Sequence, residues 1–233
     1  MFYDLHMHSC LSPCAENEMT PNNICNMALI KELDLIALTD HNSTKQLPAF
    51  VKAAESTGMK VLCGCEIQTI EEVHILGLFR RLEDTYPFQE WIDMHMPDIP
   101  NRTDFFGDQL ICDENDQVIG TEDRLLLVSL DVSLEETVDK IHECGGAAVL
   151  AHVLDRENSV TNQLGFIPMG LPYDGLEVKT PEQKQRVLDT HPWIRENDTV
   201  WLIDSDAHRL IDISEREHEI SDKDFSRLWG DRI

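Results

Sequence analysis

Histidine spacing is the first sign of chemistry in this chain. Asp4-Leu5-His6-Met7-His8-Ser9 sets two imidazoles at i and i+2. Thr39-Asp40-His41, Gly64-Cys65-Glu66 and Glu72-Val73-His74 follow, then Ala151-His152 and finally Asp204-Ser205-Asp206-Ala207-His208. Each group sits at or just past the end of a short apolar run. Residues two apart on a strand share a face, so His6 with His8, and Asp206 with His208, are expected to aim their donors at one point. Imidazole and carboxylate without a set of thiolates suit zinc, manganese or iron. The pattern predicts a shared metal cluster. His95, His142, His191 and His218 lack such partners and read as structural hydrogen-bonders.

The elements that must carry these donors alternate between strand and helix. A first strand is expected over Phe2–Leu5, followed by a loop rich in Ser, Pro and acids. Thr20 is expected to cap a helix that has Pro21 at its first position and runs to about Leu33. Leu35-Ile36-Ala37-Leu38 is a continuous apolar run, as in a parallel strand buried on both faces. A helix from about Ser43 to Thr57 is expected to end at Gly58. Strands are predicted at Val61–Cys63 and Val73–Leu76. Residues 80–131 break the rhythm and read as an insertion or lid. They hold a helix near Phe88–Met96 and a hairpin whose arms, 109–112 and 117–120, flank Asp113-Glu114-Asn115-Asp116. Alternation resumes with a Ser133/Glu136 capping box, a helix ending at Gly145-Gly146, and a strand over Ala147–Leu150 leading to His152. A short strand at Leu176–Val178, a helix opened by Thr180-Pro181, and a strand over Val200–Ile203 complete the series. This is an α/β fold with a largely parallel sheet, read as one domain over 1–233, and such folds gather sites at strand C-termini.

Composition narrows the function. The chain has 233 residues, 42% of them hydrophobic, and carries 44 Asp and Glu against 19 Lys and Arg, a formal charge of -25. That balance argues against binding along a nucleic-acid backbone, which needs a basic stripe. Bound cations would reverse the sign locally, so an anionic substrate stays compatible with it. No apolar run approaches the roughly 18 residues of a membrane span, and no secretory leader pattern opens the chain, so a cytoplasmic location is expected. The seven cysteines form no paired Cys-x-x-Cys framework and are expected to be reduced and mostly buried.

Taken in order, Asp4-Leu5-His6-Met7-His8-Ser9, Thr39-Asp40-His41, the Glu66 after the third strand, Ala151-His152 and Ser205-Asp206-Ala207-His208 resemble the PHP superfamily (polymerase and histidinol phosphatase type), over about residues 3–210. The resemblance implies a distorted seven-stranded (β/α) barrel with a metal cluster, often trinuclear, at the strand C-termini, and hydrolysis of phosphoesters. It implies that His6, His8, Glu66 and Asp206 hold a first metal. Glu66 would bridge to a second metal that also takes His74 and His152. A third would take His41, His208 and one residue of the loop after the first strand. Family members place an Asp or His there. This loop is longer and has no Asp; counting back from Thr20-Pro21 favours Glu16, with Glu18 and Cys14 as runners-up. Where many relatives have Ala-His-Pro, this chain has Val153. Arg156, a few residues on, stands where an arginine of relatives meets substrate phosphate, and Arg209 is a weaker candidate for that role. Asp40 and Asp204 are expected to orient ligand imidazoles, and Glu177 to play an orienting or structural part.

A cluster of divalent ions (Mn, Zn or Fe, three in number) would lower the pKa of a bridging water and neutralise phosphoryl charge as the metal-bridged hydroxide attacks. Asp206 and Arg156 are the side chains assigned to the reacting centre. No Gly-rich phosphate loop is present. The expected substrate is a small phosphorylated metabolite or a nucleotide, with long nucleic acid disfavoured by charge. Two other readings stand beside it. One is a metal-binding regulatory module without catalysis; the other is metal-dependent hydrolysis of a C–N bond, for which a carbamylated lysine, with Lys179 the nearest candidate, would speak.

Overall fold

Short apolar runs buried at every position have no polar face to turn to water, so they pair side by side and are covered on both surfaces. In the computed structural model, which describes residues 1–230, nine strands form, and those of the main sheet are mostly such segments. They are β1 (Tyr3–Asp4), β2 (Leu35–Leu38), β3 (Lys60–Gln68), β4 (His74–Phe79), β5 (Leu110–Cys112), β6 (Val118–Thr121), β7 (Ala147–Leu150), β8 (Gly175–Glu177) and β9 (Val200–Leu202). The α-helices are α1 (Pro21–Ile30), α2 (Leu47–Thr57), α3 (Thr85–His95), α4 (Thr103–Phe106), α5 (Leu134–Glu143), α6 (Val160–Leu164), α7 (Pro181–Thr190) and α8 (Asp222–Arg227). Of the span 1–233, residues 231–233 lie outside the described residues. Seven strands make one curled sheet in the order β1-β2-β3-β4-β7-β8-β9, and β5 and β6 pair separately. No helix is long and apolar enough to cross a membrane.

Alternation along the strands divides the apolar side chains into two layers. Leu35, Ala37, Leu62, Leu76, Leu78, Ala147, Val149 and Leu202 fill the inside of the curl. Ile36, Leu38, Cys63, Ile75, Phe79, Ala148 and Leu150 face the helices, where Ile24, Phe50, Val138, Ile141 and Val187 meet them. This is the distorted seven-stranded barrel that the family resemblance implies. One strand departs from the parallel rule: β4 runs antiparallel to both β3 and β7. The reversal brings the N-terminal end of β4, rather than its C-terminal end, to the rim where the other strands finish.

The first and last strands of the sheet meet through a seam rather than a ladder. Met7 and Ala207 form an isolated parallel bridge. Asp206 N donates to His6 O, and His8 N to Ala207 O, each at 2.9 Å. Below that, two carboxylates are exchanged across the gap. Asp204 Oδ1 accepts from Leu5 N at 2.6 Å, and Asp4 Oδ2 accepts from Ser205 Oγ at 2.6 Å. Bonds to buried carboxylates are the stronger kind, so a seam of few bonds still holds.

Helix ends follow local chemistry with a few differences, among them α2, which begins at Leu47 rather than near Ser43. Ser133 and Glu136 form the expected capping box, and Thr180 accepts from Gln183 N. Thr20 sits at the start of α1 with extended backbone, but its hydroxyl makes no capping bond. The helix stops at Ile30, short of Leu33, because Glu32 turns to φ 56°. Between β4 and α5 the chain departs to build α3, α4 and the β5–β6 hairpin. This segment braces the ligand loops: Leu110 N donates to Cys10 O at 2.8 Å. Gln46 bonds both backbone groups of Cys112 (2.9 and 3.0 Å). Asn42 donates to Leu126 O and Val128 O (2.8 and 2.7 Å). Gly107, at φ 105°, lies so near Pro13 that a Cβ would stand 2.2 Å from its carbonyl oxygen.

Candidate metal centre

Glu66 organises the rim. It sits within the second half of β3, opposite Leu76 of β4, and its side chain is buried. Imidazoles from four other parts of the chain converge on its carboxylate. His74 Nδ1 lies at 2.9 Å, His41 Nδ1 at 3.0 Å, His6 Nε2 and His152 Nε2 at 3.3 Å, and His8 Nε2 at 3.4 Å. Asp206 stands across from it, with Oδ1 at 3.3 Å from His8 Nε2, 3.5 Å from His6 Nε2 and 3.7 Å from His208 Nδ1. The His8 ring stacks against both His41 and His208, with centroids 4.3 Å apart in each case.

Local backbone explains how each arrives. His6 and His8 lie beyond β1, where the seam holds the chain extended and residues two apart still share a face. His41 follows β2 and pairs with Glu66 through an isolated bridge. His74 starts β4 instead of ending a strand, and it reaches the rim because β4 is reversed. Asp206 and His208 are not in a strand as expected. Asp206 adopts φ 58° and His152 φ 29°, left-handed turns that bend the chain back over the rim. Such backbone costs of order 1–3 kcal/mol and persists where surrounding bonds enforce it.

The charges are arranged for cations. Burial would lower the pKa of His6, but Glu177, Glu66 and Asp206 outweigh it and lift it well above the ordinary range. Burial, reinforced by His41 and His208, drives His8 well below. Burial would raise Glu66, yet His74, His6 and His41 hold it far down. Three sets of side chains bring one ligand atom each within 4.8 Å of one another: His8, His41 and His208; His6, His8 and Asp206; His41, Glu66 and His74. Glu66 Oε2 is fully buried and has no hydrogen-bond partner. An anionic oxygen desolvated among imidazole nitrogens is a poor resting state for an apoprotein and a good one for a divalent ion. The donor set therefore suits divalent metal ions.

Around these donors lies a supporting layer. His6 Nδ1 donates to Glu177 Oε2 at 2.7 Å, and Lys179 Nζ lies 3.0 Å from Glu177 Oε1. Burial would push the Glu177 pKa up, but His6 and Lys179 draw it down to about 2. Glu177 thus orients an imidazole directly, leaving His6 Nε2 to face the centre. Asp40 acts at one remove. It accepts from Ser9 N, Ser9 Oγ and Ser12 Oγ (2.7, 2.6 and 2.7 Å), and Ser12 Oγ is 3.2 Å from His8 Nδ1. Asp204, expected to orient a ligand, makes no hydrogen bond to an imidazole among the described residues; its carboxylate serves the seam.

The loop after β1 departs from expectation. Glu16 and Glu18 are exposed, and Glu16 meets the centre only through its backbone, donating N–H to His208 O at 2.9 Å. Cys14, although its side chain is exposed like those of Glu16 and Glu18, is the loop residue that lines the cleft beside His41 and His208. Burial would raise its thiol, but the two imidazoles bring it down to about 6. The signal for this was present in Ser9-Cys10-Leu11-Ser12-Pro13-Cys14. Two successive turns, with Ser12 N donating to Ser9 O and Ala15 N to Ser12 O, coil the loop back toward the rim. From sequence, Lys179 reads only as a carbamylation candidate; the cue that pairs it with Glu177 is its place two residues after a buried carboxylate.

The donors floor a cleft of about 590 Å³ whose walls include Gln68, Leu127, Asn158 and Arg156. Arg156 Nη2 donates to Asp206 Oδ2 at 2.8 Å while the side chain stays half exposed. Arg209 pairs with Asp212 on the surface instead.

Comparison with known proteins agrees with this geometry. The PHP domain family model matches residues 4–149. The chain is 31% identical over 83 residues to the 5'-3' exoribonuclease Rnm of Salmonella typhimurium, a match covering 34% of this chain and 27% of that enzyme. It thus spans little more than a quarter of that relative's length. Its fold is similar to the lesion-specific endonuclease Q of Pyrococcus furiosus (TM-score 0.61, 20% identity, 89% of this chain and 48% of that one). It is also similar to a proposed metal-dependent phosphoesterase of Bifidobacterium adolescentis (TM-score 0.58, 20% identity, 97% and 94%). With the family model covering more than half of the sequence and the ligand-type residues gathered at one barrel rim, the chain belongs to the PHP domain family.

Proposed function

We propose that this protein hydrolyses phosphoesters at a metal centre held by His6, His8, His41, Glu66, His74, His152, Asp206 and His208. The observation that carries the reading is the single buried carboxylate of Glu66 surrounded by five imidazoles at 2.9–3.4 Å on the floor of an open cleft. Divalent ions there would supply Lewis acidity and a water of lowered pKa. The side chains do the rest. Glu177 fixes the His6 tautomer, and Ser12, held by Asp40, does the same for His8. Asp206 anchors Arg156 at the cleft wall, from which the guanidinium can turn its remaining donors to phosphoryl oxygens, a geometry it suits by bidentate bonding. Leu127, from the segment 80–131, forms part of the wall, so that segment takes part in substrate choice as well as in bracing the loops.

The substrate class we infer is a phosphate at a molecular end: a small phosphorylated metabolite, a nucleotide, or the terminal nucleotide of a nucleic acid. The similarity to an enzyme named as an exoribonuclease supports including the last. The formal charge of -25 argues against long backbone tracks. C–N hydrolysis through a carbamylated lysine has no support in the geometry, since Lys179 Nζ is engaged by Glu177 and donates to Asp204 O at 3.1 Å. The test is turnover by protein reconstituted with Mn, Zn or Fe against phosphomonoesters, phosphodiesters and short end-labelled oligonucleotides. Release of phosphate or nucleotide that is lost in Glu66→Gln is expected. Fully metallated protein that turns over none of these would favour the regulatory module instead.

A further inference from the structure

The seven cysteines of this chain do not share one environment, and Cys14 stands apart from the rest. Cys10 and Cys112 face one another with sulfurs 3.6 Å apart, and Cys25, Cys63 and Cys65 are buried in packed surroundings. Cys14, the exposed one, lines the cleft together with His41 and His208, and neither Glu16 nor Glu18 does. The loop is shaped to put it there. The Ser9–Ser12 and Ser12–Ala15 turns, the bond from Glu16 N to His208 O, and the close approach of Gly107 to Pro13 fix the backbone on both sides. A second observation lies next to it, at His41. Glu66 Oε2, without a hydrogen-bond partner, looks toward His41 Nδ1 at 3.0 Å, and the donor atoms of His8, His41 and His208 already lie within 4.8 Å of one another.

We infer that Cys14, and neither Glu16 nor Glu18, completes the cation position shared by His41 and His208, making it a mixed thiolate–imidazole site. The inference rests on the metal-centre reading above and adds a consequence of its own. A soft sulfur donor beside imidazoles discriminates in favour of Zn²⁺ or Fe²⁺ and against Mn²⁺ and Mg²⁺, which prefer oxygen ligands. The rim would then hold unlike positions, one with sulfur and the others with nitrogen and oxygen alone. Different ions would occupy them at equilibrium in a mixture of metals.

The test is spectroscopic and does not depend on turnover. Full-length protein is stripped of metal and titrated with Co²⁺, and a zinc-loaded sample is studied by X-ray absorption at the zinc edge. Wild type and Glu16→Gln should both show a thiolate-to-cobalt charge-transfer band in the near ultraviolet and a sulfur scatterer at about 2.3 Å from zinc. Cys14→Ser should lose both and weaken zinc at that position by more than the roughly 10–100-fold typical of a residue that merely supports a ligand. Cys14→Asp should restore the metal count while shifting preference toward Mn²⁺. Cobalt bound with its d–d absorption but without the sulfur band would overturn the assignment and leave the metal centre standing. A band that survives Cys14→Ser would likewise overturn it, by assigning the sulfur to another cysteine. Protein that takes up no cobalt at all would sink both readings together.

Discussion

Replacing Glu177 by Gln isolates one interaction in the supporting layer with almost no change of shape. In the native protein one carboxylate oxygen receives His6 Nδ1–H at 2.7 Å and the other lies 3.0 Å from Lys179 Nζ, with Glu177 fully buried. A glutamine keeps an acceptor for His6 but sets an amide N–H₂ against the lysine ammonium. Charged hydrogen bonds are worth about 1.5–3 kcal/mol against about 1 for neutral ones, so each side loses roughly 1 kcal/mol or more. The lysine side chain is 22% exposed, and water at that opening will return part of its share. The metal-free variant should therefore unfold with about 1–2 kcal/mol less stability, or roughly 2–8 °C in Tm for a domain of this size. Metal affinity should fall by about 10–100-fold, equivalent to about 1.4–2.7 kcal/mol, because His6 loses basicity and orientation. Competition against a chromophoric chelator measures the second effect, and melts of stripped protein measure the first. Adding Lys179→Met removes the unpaired ammonium, so the double variant should recover Tm while metal affinity stays low. Unaltered metal affinity in Glu177→Gln would refute the reasoning, because it would mean that the 2.7 Å bond does not prepare His6 as a ligand.

Other expectations concern the cleft, the brace and pH. Arg156→Ala should leave the metal count unchanged and lower kcat/KM for phosphoesters by roughly 10–100-fold through the lost charged bond; equal kinetics would remove Arg156 from substrate binding. Gly107→Ala forces a Cβ to 2.2 Å from Pro13 O at φ 105°, whereas at Gly58 (φ 76°) the same methyl group meets nothing within 4 Å. The first substitution should thus lower Tm by more than the second, and equal losses would show that the brace yields freely. In metal-free protein, His6, His41 and His208 are raised by their neighbours, so their stabilisation is complete below about pH 6.5 and is lost as pH climbs through the raised values. Glu66, Asp206 and Glu177 are held low, so theirs is present above about pH 4.5 and is lost on acidification. Metal must displace those imidazole protons, so the rise in Tm on adding zinc should be larger at pH 8 than at pH 6. A metal affinity independent of pH would contradict the protonated imidazoles.

Much of this was legible in the residues. Apolar runs such as Leu35–Leu38 and Ala147–Leu150 announced buried strands, and the Ser133/Glu136 pair announced the start of α5. The His, Glu and Asp clusters converged as their spacing suggested. What stayed hidden has a common cause: pattern reports burial and period but not direction. Nothing in His74-Ile75-Leu76 says that β4 runs backwards, and without that reversal His74 would lie at the wrong end of the barrel. Asp206 and His208 look like neighbours on a strand face, yet a left-handed turn places them. Counting back from Thr20-Pro21 favours Glu16 in the first loop, and such counting cannot register the two consecutive turns there. Asp204 resembles an orienting residue in composition alone; its partner, Leu5 N–H, lies 199 positions away.

The seam has a consequence for how the protein comes into being. Residues 4–8 and 204–208 supply four donors and close the barrel on each other through Asp4 and Asp204, 201 positions from Ser205 and 199 from Leu5 respectively. Joining ends so far apart costs about 3 kcal/mol more in chain entropy than closing a ten-residue loop. Strands β2, β3 and β4 can pair early, since their partners are near in sequence, whereas the seam must wait until β9 has been made. During synthesis the nascent chain therefore carries His6, His8, His41, Glu66 and His74 for a long interval without Asp206 or His208. On the proposed metal-centre reading, an ion captured then would be held by an incomplete set and free to exchange, so the identity of the bound metals would be decided late, when the two ends meet.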